Sequence, residues 1–526
     1  MKKTSWALLM TIAFVVGLDG RQEPVDAAGN AKIRDEGLNR SHVEEPFDMF
    51  VNVIGPRLTG SPSHKRAADY ARATLEKWGM TNAHLEPWEF GRGWELEKLT
   101  IEMVEPRYMP LIGYAEAWTP STPGELLVSA VSTAGRTADE IAALPIAGAA
   151  VLTQSVITNF IDQDRPQPTL VEGARIGAPS SPRQGGAGRT GAPAGAGTAQ
   201  TGAAAATSAT GAAASTGAVQ APARGAGGGG QRGGANAATA KAAVIIKGSL
   251  GMQGTVFVQA QSGDRTPPTT QPAIVLAAEH YNIIARLLAH NIPVKLRVNV
   301  QTKFFDADKN SYNVIADIPG VDPVLKDQVV MLGAHLDSWH AGTGAADNAA
   351  GATAVMEAFR IIKAAGLQPK RTLRVALWSG EEEGLYGSKA YAASHLSGDA
   401  HKAEREKMDV YFNIDAGTGP IYGWYTENNA AAKTIFDAWL APFTDLGVRK
   451  NIVPGITNTD HLSFIAAGIP GFNPILEYTD YDVRMHHTNA DTAERVKEAD
   501  LKQRAVILAS FVYQAAQRAE MIPRSK

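Results

Sequence analysis

No cysteine occurs anywhere in the 526 residues. That excludes disulfide bridges, thiolate metal sites and a lipid-modified N-terminal cysteine. Any metal must therefore be held by His, Asp and Glu. Charge of one sign is missing as well. Lys and Arg total 50 against 53 Asp and Glu, a formal net charge of -3, so nothing favours a nucleic acid or an anionic membrane as partner. The apolar run Trp6 to Val16 is too short to cross a bilayer comfortably. Lys2 and Lys3 precede it and polar sequence follows from Asp19. This is the pattern of a secretory signal over residues 1–27, cleaved between Gly17 and Ala27. The expected location of the mature chain is periplasmic or secreted.

What remains divides into three parts. Residues 28–105 read as the first part of an enzyme domain, with a helix over Ala31 to Val53, a turn-rich break over Ile54 to Pro62 and a second helix over Ser63 to Trp78. Residues 106–300 have a different texture. Short apolar runs (Ala149 to Leu152, Ala243 to Ile246, Ala273 to Leu276, Val294 to Val298) stand between turn signals, as in a small β-rich insert. Within it, residues 179–240 are Ala, Gly, Ser, Thr and Gln with almost no large apolar side chain. Such a stretch cannot offset its own ordering entropy and is expected to be a disordered loop. From residue 301 onwards, β-branched runs (Asn313 to Ile318, Val329 to Leu332, Leu373 to Trp378, Val410 to Ile414) alternate with helical patterns. The helices are expected over Ala349 to Ala365, Ser388 to Ser394, Ala430 to Ala441 and Asp491 to Ala519. Alternating β and α argues an α/β fold around a central mixed, mainly parallel sheet flanked by helices. In such sheets ligands bind at the carboxyl ends of the strands.

Three of those strands run straight into metal-type side chains: His335 and Asp337 after the first, Glu381, Glu382 and Glu383 after the second, Asp415 after the third. Asp347 sits in a Gly-rich loop, and His486 and His487 in another. Singly, each has an ordinary reading as a cap or a solvated side chain. Gathered at strand ends in a chain without cysteine, they point to a metal centre. Amide hydrolysis needs a nucleophilic water at neutral pH and a stabilised oxyanion. Two metals about 3.5–4 Å apart can hold one hydroxide and polarise the carbonyl. Each zinc needs about three protein ligands and one open position, so five side chains suffice only if one carboxylate bridges. Asp347 is the natural bridge. Asp337, two residues from His335 on extended chain, is placed to accept the other ring N–H of that histidine. Of Glu381 and Glu382, one can bind metal while its neighbour moves the water's proton.

The stretches Gly333-Ala-His335-Leu-Asp337, Gly342-Thr-Gly-Ala-Ala-Asp347-Asn348, Glu381-Glu-Glu-Gly-Leu-Tyr-Gly-Ser388 and His487-Thr-Asn-Ala-Asp491-Thr492 resemble the two-zinc aminopeptidase and glutamate carboxypeptidase family. The resemblance covers most of the chain outside the signal and the low-complexity stretch. It implies a zinc exopeptidase fold with a protease-associated-like insert, two Zn2+ ions, a peptide substrate and a homodimer. It implies one zinc on His335, Asp347 and Asp415 and a second on Asp347, Glu382 and His487. Glu381 is then the general base. A cis peptide after Asp347 is implied too. His486 stands where secreted aminopeptidases carry an oxyanion-stabilising Tyr; the resemblance leaves either His486 taking that part or a donor from elsewhere. The loop Asn458 to Phe464 resembles a pocket-forming loop, in which Asp460 is expected to touch a substrate terminus and His461 to be a buried structural residue.

The function expected is therefore an exported zinc exopeptidase: an aminopeptidase, dipeptidase or carboxypeptidase acting on short peptides. A glutaminyl cyclase-like transferase on the same fold would need only one zinc, and a receptor-like binding protein predicts broken ligands, whereas all five are present. Glu383 reads as solvated, His340 as a surface loop residue, Trp339 and Trp378 as packing residues, and Asp491 and Thr492 as the cap of the last helix.

Overall fold

The structure, a computed structural model, describes residues 23–168, 239–258 and 270–524. The signal segment up to residue 22 and all of the low-complexity stretch before residue 239 lie outside the described residues. The described chain divides into two compact units. Residues 23–94, 161–168 and 304–524 form the first; residues 95–160, 239–258 and 270–303 form the second.

A seven-stranded sheet organises the first unit. Its strands lie in the order Thr81–Glu89, Asn310–Ile318, Thr372–Trp378, Val329–His335, Met408–Asn413, Gly471–Leu476 and Ile421–Tyr425. The four strands from Thr372–Trp378 to Gly471–Leu476 pair in parallel. The pairs at both margins are antiparallel. Parallel strands covered on both faces become continuous apolar runs, and Val330, Leu332, Val375, Leu377, Val410 and Phe412 are all fully buried.

The helix Ala350–Ala364 is buried along nearly its whole length. It packs with Ala27–Asn39 and Glu498–Gln517 on the sheet. Gly37 permits the close crossing, since a Cβ there would stand 2.4 Å from Val506 Cγ2 and 2.8 Å from Ile361 Cδ1. The single helix expected over Ala31 to Val53 is interrupted instead: it ends at Asn39, resumes over Glu44–Asp48 and widens into a turn over Met49–Ile54. The cause is the buried carboxylate of Glu357, which accepts from Ser41 Oγ at 3.1 Å and His42 N at 2.9 Å and draws the backbone out of the helix. The helix after the break forms as expected, over Pro62–Lys77, with Ser61 as its N-cap and Pro62 in the first turn.

The second unit is built on an eight-stranded mixed sheet. The apolar runs marked in the sequence become the strands Ala150–Leu152, Val244–Gly248 and Ala273–Leu276 and part of Lys295–Phe305. The helix Ala278–Ala289, unmarked in the sequence reading, follows the third of these. Among the described residues no helix is long and apolar enough to cross a membrane.

Candidate metal centre

Sheet order brings the candidate residues together. His335 ends its strand, Glu381 and Glu382 follow the neighbouring strand Thr372–Trp378, and Asp415 follows the strand on the other side. Adjacent strands are about 4.8 Å apart, so residues far apart in sequence converge within one side-chain length. His487 arrives on the loop after Gly471–Leu476, the next strand along.

The Asp347 carboxylate lies between two sets of partners. Its Oδ1 is 3.2 Å from His335 Nε2, which is itself 3.5 Å from Asp415 Oδ1. Its Oδ2 is 3.5 Å from His487 Nε2, which is 2.8 Å from Glu382 Oε2. Two ligand atoms each about 2.1 Å from one tetrahedral ion stand about 3.4 Å apart, so three of these four separations already match edges of a coordination tetrahedron. His335 Nε2, Asp347 Oδ2 and both Glu382 oxygens are buried without a well-formed hydrogen bond. Such groups are costly unless something answers them. A cation satisfies all of them at once, and the donor set, imidazole with carboxylate, suits zinc.

Surrounding groups aim these side chains. His335 Nδ1 lies 3.0 Å from the backbone oxygen of Asp337, which places the ring proton on Nδ1 and leaves Nε2 facing the centre. The expected partner, the Asp337 carboxylate, is 3.7 Å away. It is engaged elsewhere, accepting from Thr59 Oγ1 at 2.9 Å and from the backbone N–H groups of Glu381 and Glu382 at 3.4 and 3.3 Å. Asp337 thus supports the glutamate turn and orients His335 through its main chain. The Asp347–Asn348 peptide is cis. Asp491 accepts from Ala346 N at 2.7 Å and Asp347 N at 3.1 Å, and burial pushes its carboxyl up to about 7. It does not cap the last helix, which starts later, at Glu498; it holds the Asp347 loop.

Burial raises the Glu381 carboxyl well above the ordinary range, with His335 pulling it down and Asp415 and Asp460 adding to the rise. Glu381 stands with His335 and Asp415, while Glu382 stands with His335 and Asp347. Burial also raises Glu382, to about 7, against the pull of His487. Asp347 is held below the usual carboxylate range, because His335 and His487 outweigh its burial. His486 is half-buried, its ring 3.7 Å from that of His487 and 5.2 Å from that of Tyr481. Burial, reinforced by His487, lowers it to about 3, so the ring is neutral.

Asp460 is 1% exposed, and its charge adds to the rise of the Glu381 carboxyl. Burial raises its carboxyl to about 7. Glu383 is not solvated. Both its oxygens are buried and its carboxyl is pushed well up by burial, with Asp337 adding to the rise. His461 is fully buried between Thr459 Oγ1 at 2.6 Å and Glu427 Oε1 at 3.2 Å. His340 packs edge-on against Trp94 at 5.0 Å.

The sequence reading missed Arg57. Its buried guanidinium donates to the carbonyls of Leu336, Phe50, Gly55, Thr343 and Gly344 at 2.8–3.1 Å, tying the His335 strand end to the loop before Asp347. Burial lowers this group to about 10, with Asp491 pulling it back up. Gly344 is required where Arg57 meets that loop: its φ is +61° and a Cβ would lie 2.3 Å from Ser338 Cβ. The turn-rich Ile54 to Pro62 segment was visible in the sequence, but not which of its side chains points inward.

Residues 313–512 match Peptidase family M28. Human carboxypeptidase Q is 26% identical over 504 residues, which cover 94% of this chain and 89% of that protein. Among solved structures, a peptidase M28 precursor from Shewanella amazonensis SB2B superposes with a TM-score of 0.63 at 22% identity, covering 94% of this chain and 98% of that one. A zinc aminopeptidase from Bacillus subtilis does so with a TM-score of 0.56 at 17% identity, covering 91% and 95%. The last two likenesses concern the fold.

Proposed function

Because residues 313–512 form a Peptidase family M28 domain, we propose that the chain is a zinc-dependent exopeptidase that acts outside the cytoplasm on short peptides. The observation that carries this reading is the division of partners about Asp347, with His335 on one oxygen and His487 on the other, Asp415 beside His335 and Glu382 beside His487. These five residues would hold two zinc ions, Asp347 bridging them. Zinc in that position supplies Lewis-acid polarisation of a peptide carbonyl and acidifies water.

The remaining work falls to the chain itself. Glu381, with a proton affinity raised by burial, takes the attacking water's proton and returns it to the leaving amine. The neutral ring of His486, beside His487, donates to the carbonyl oxygen as negative charge develops there. Asp337 and Thr59 fix the turn that carries both glutamates.

Asp491 orients the bridge, so Asp491→Ala is expected to weaken zinc binding about 10–100-fold and to leave two buried N–H groups without their acceptor. Titration against a competing chelator measures this. Unchanged affinity would show that the Asp347 loop holds its shape unaided.

Matched peptides test the function: one N-acetylated, one C-amidated and one free at both ends, each with and without a chelator. Chelator-sensitive cleavage blocked only by acetylation identifies an aminopeptidase, blocked only by amidation a carboxypeptidase, and blocked by both a dipeptidase. No cleavage of any peptide by zinc-loaded protein overturns the proposal.

A further inference from the structure

Residues 161–168 adjoin the β-rich unit in sequence yet belong to the peptidase unit. Their contacts converge on one place, the turn Tyr481–Met485 that leads into His486 and His487. Asp164 accepts from Asp480 N at 2.8 Å and from Val483 N at 3.1 Å. Arg165 donates its backbone N–H to Asp482 at 2.7 Å and its guanidinium to the same carboxylate at 2.6 and 2.8 Å. Both side chains of that ion pair are 4% exposed. The guanidinium also lies over the rings of Tyr478 and Tyr481, 5.1 and 5.2 Å from their centres. Gln167 Nε2 donates to the carbonyl of Leu476, the last residue of the adjoining strand, at 3.1 Å.

This turn needs outside support. Asp480 before it and His487 after it both hold left-handed backbone, with φ of +62°, a region that non-glycine residues leave when nothing constrains them. Within the turn, Tyr481 accepts from His486 N at 2.8 Å and its ring packs on that of His486. A buried Arg–Asp pair is a weak net stabiliser, because desolvation consumes most of its attraction, but it defines one conformation sharply. Arg165 and Asp164 are spent on the backbone that determines where His487 points.

We propose that residues 162–168 form a positioning strap for the His487 turn, with Arg165 as its anchor. Through Asp482 and Tyr481 the strap holds His487 against Glu382 and Asp347, which fixes the second of the two metal positions. The consequence for zinc rests on the exopeptidase reading; the consequence for the turn does not.

Arg165→Met, Arg165→Lys and Asp164→Asn in the full-length protein separate the two. Hydrogen–deuterium exchange on metal-free protein reads the turn directly. In Arg165→Met, amides 480–488 are expected to exchange about ten-fold faster, while those flanking His335 and Asp415 are unchanged. Zinc titration of the same variant is expected to show one of two sites weakened about 10–100-fold and the other retained. Arg165→Lys should restore part of both effects, and kcat should fall more than KM rises. Unchanged exchange over 480–488 overturns the strap, even if zinc binding and peptide cleavage are as proposed. Faster exchange in a protein that takes up no zinc supports the strap and overturns the exopeptidase reading. Should Arg165→Met fail to fold, Asp164→Asn, which weakens the backbone hydrogen bonds of Asp164 and leaves the Arg165–Asp482 pair in place, gives the same readouts with the same meaning.

Discussion

Glu381→Gln is expected to take up zinc as the unaltered protein does and to cleave peptides about 10²–10⁴-fold more slowly. The substitution keeps size and shape and removes the ability to accept a proton. The turn that carries it is unaffected, since the residue 381 backbone N–H stays on Asp337. The residues dividing around Asp347 do not include Glu381. The experiment discriminates because Glu381 also stands close to His335 and Asp415, near enough to be a ligand with them. If Glu381 were the ligand and Glu382 the base, Glu381→Gln would lose metal and Glu382→Gln would keep it. Zinc stoichiometry measured alongside kcat decides. A large loss of kcat at full occupancy assigns proton transfer to Glu381, and a loss of one zinc assigns it to Glu382.

How far the sequence could be read follows from what each kind of signal encodes. The strands were legible because burial on both faces demands unbroken apolar runs, and these place His335, Glu381, Glu382 and Asp415 at strand ends in any parallel arrangement. Side chains that act on the backbone were not legible. Arg57 reaches five carbonyls by way of a fold that the sequence does not display. Asp491 looks like a helix cap because Thr492 and a helical pattern follow it, yet its carboxylate turns towards Ala346 and Asp347. Glu383 looked solvated because most carboxylates are exposed. Its burial depends on how the turn after Trp378 folds inward. Arg165 was hidden for another reason: it lies beside low-complexity sequence within a stretch whose composition belongs to the insert, while its partner Asp482 is 317 residues away.

Asp347→Ala is expected to abolish zinc binding at both positions and reduce peptide cleavage to background. In the proposed two-zinc centre each of the other four groups would serve one side, so losing any one of them would leave the opposite set complete. Asp347 alone offers an oxygen to each side. Without it, His335 and Asp415 make one pair and Glu382 and His487 another, and two ligands fall short of the three a catalytic zinc site uses. The loop should survive the change, because Asp491 holds the backbone N–H groups of Ala346 and Asp347 rather than the Asp347 side chain, and Asn348 remains anchored to the carbonyl of Ile414 at 2.9 Å. The loss is therefore one of ligation and not of folding, and thermal unfolding separates the two. A ligand at 100 times its Kd stabilises the folded state by about 2.7 kcal/mol, so zinc should raise the Tm of the unaltered protein measurably. In Asp347→Ala that zinc-dependent increment should vanish while cooperative unfolding persists. Two zinc ions per chain in the variant would remove Asp347 from the bridging position. One retained zinc would show that one of the two sets closes on its metal without it.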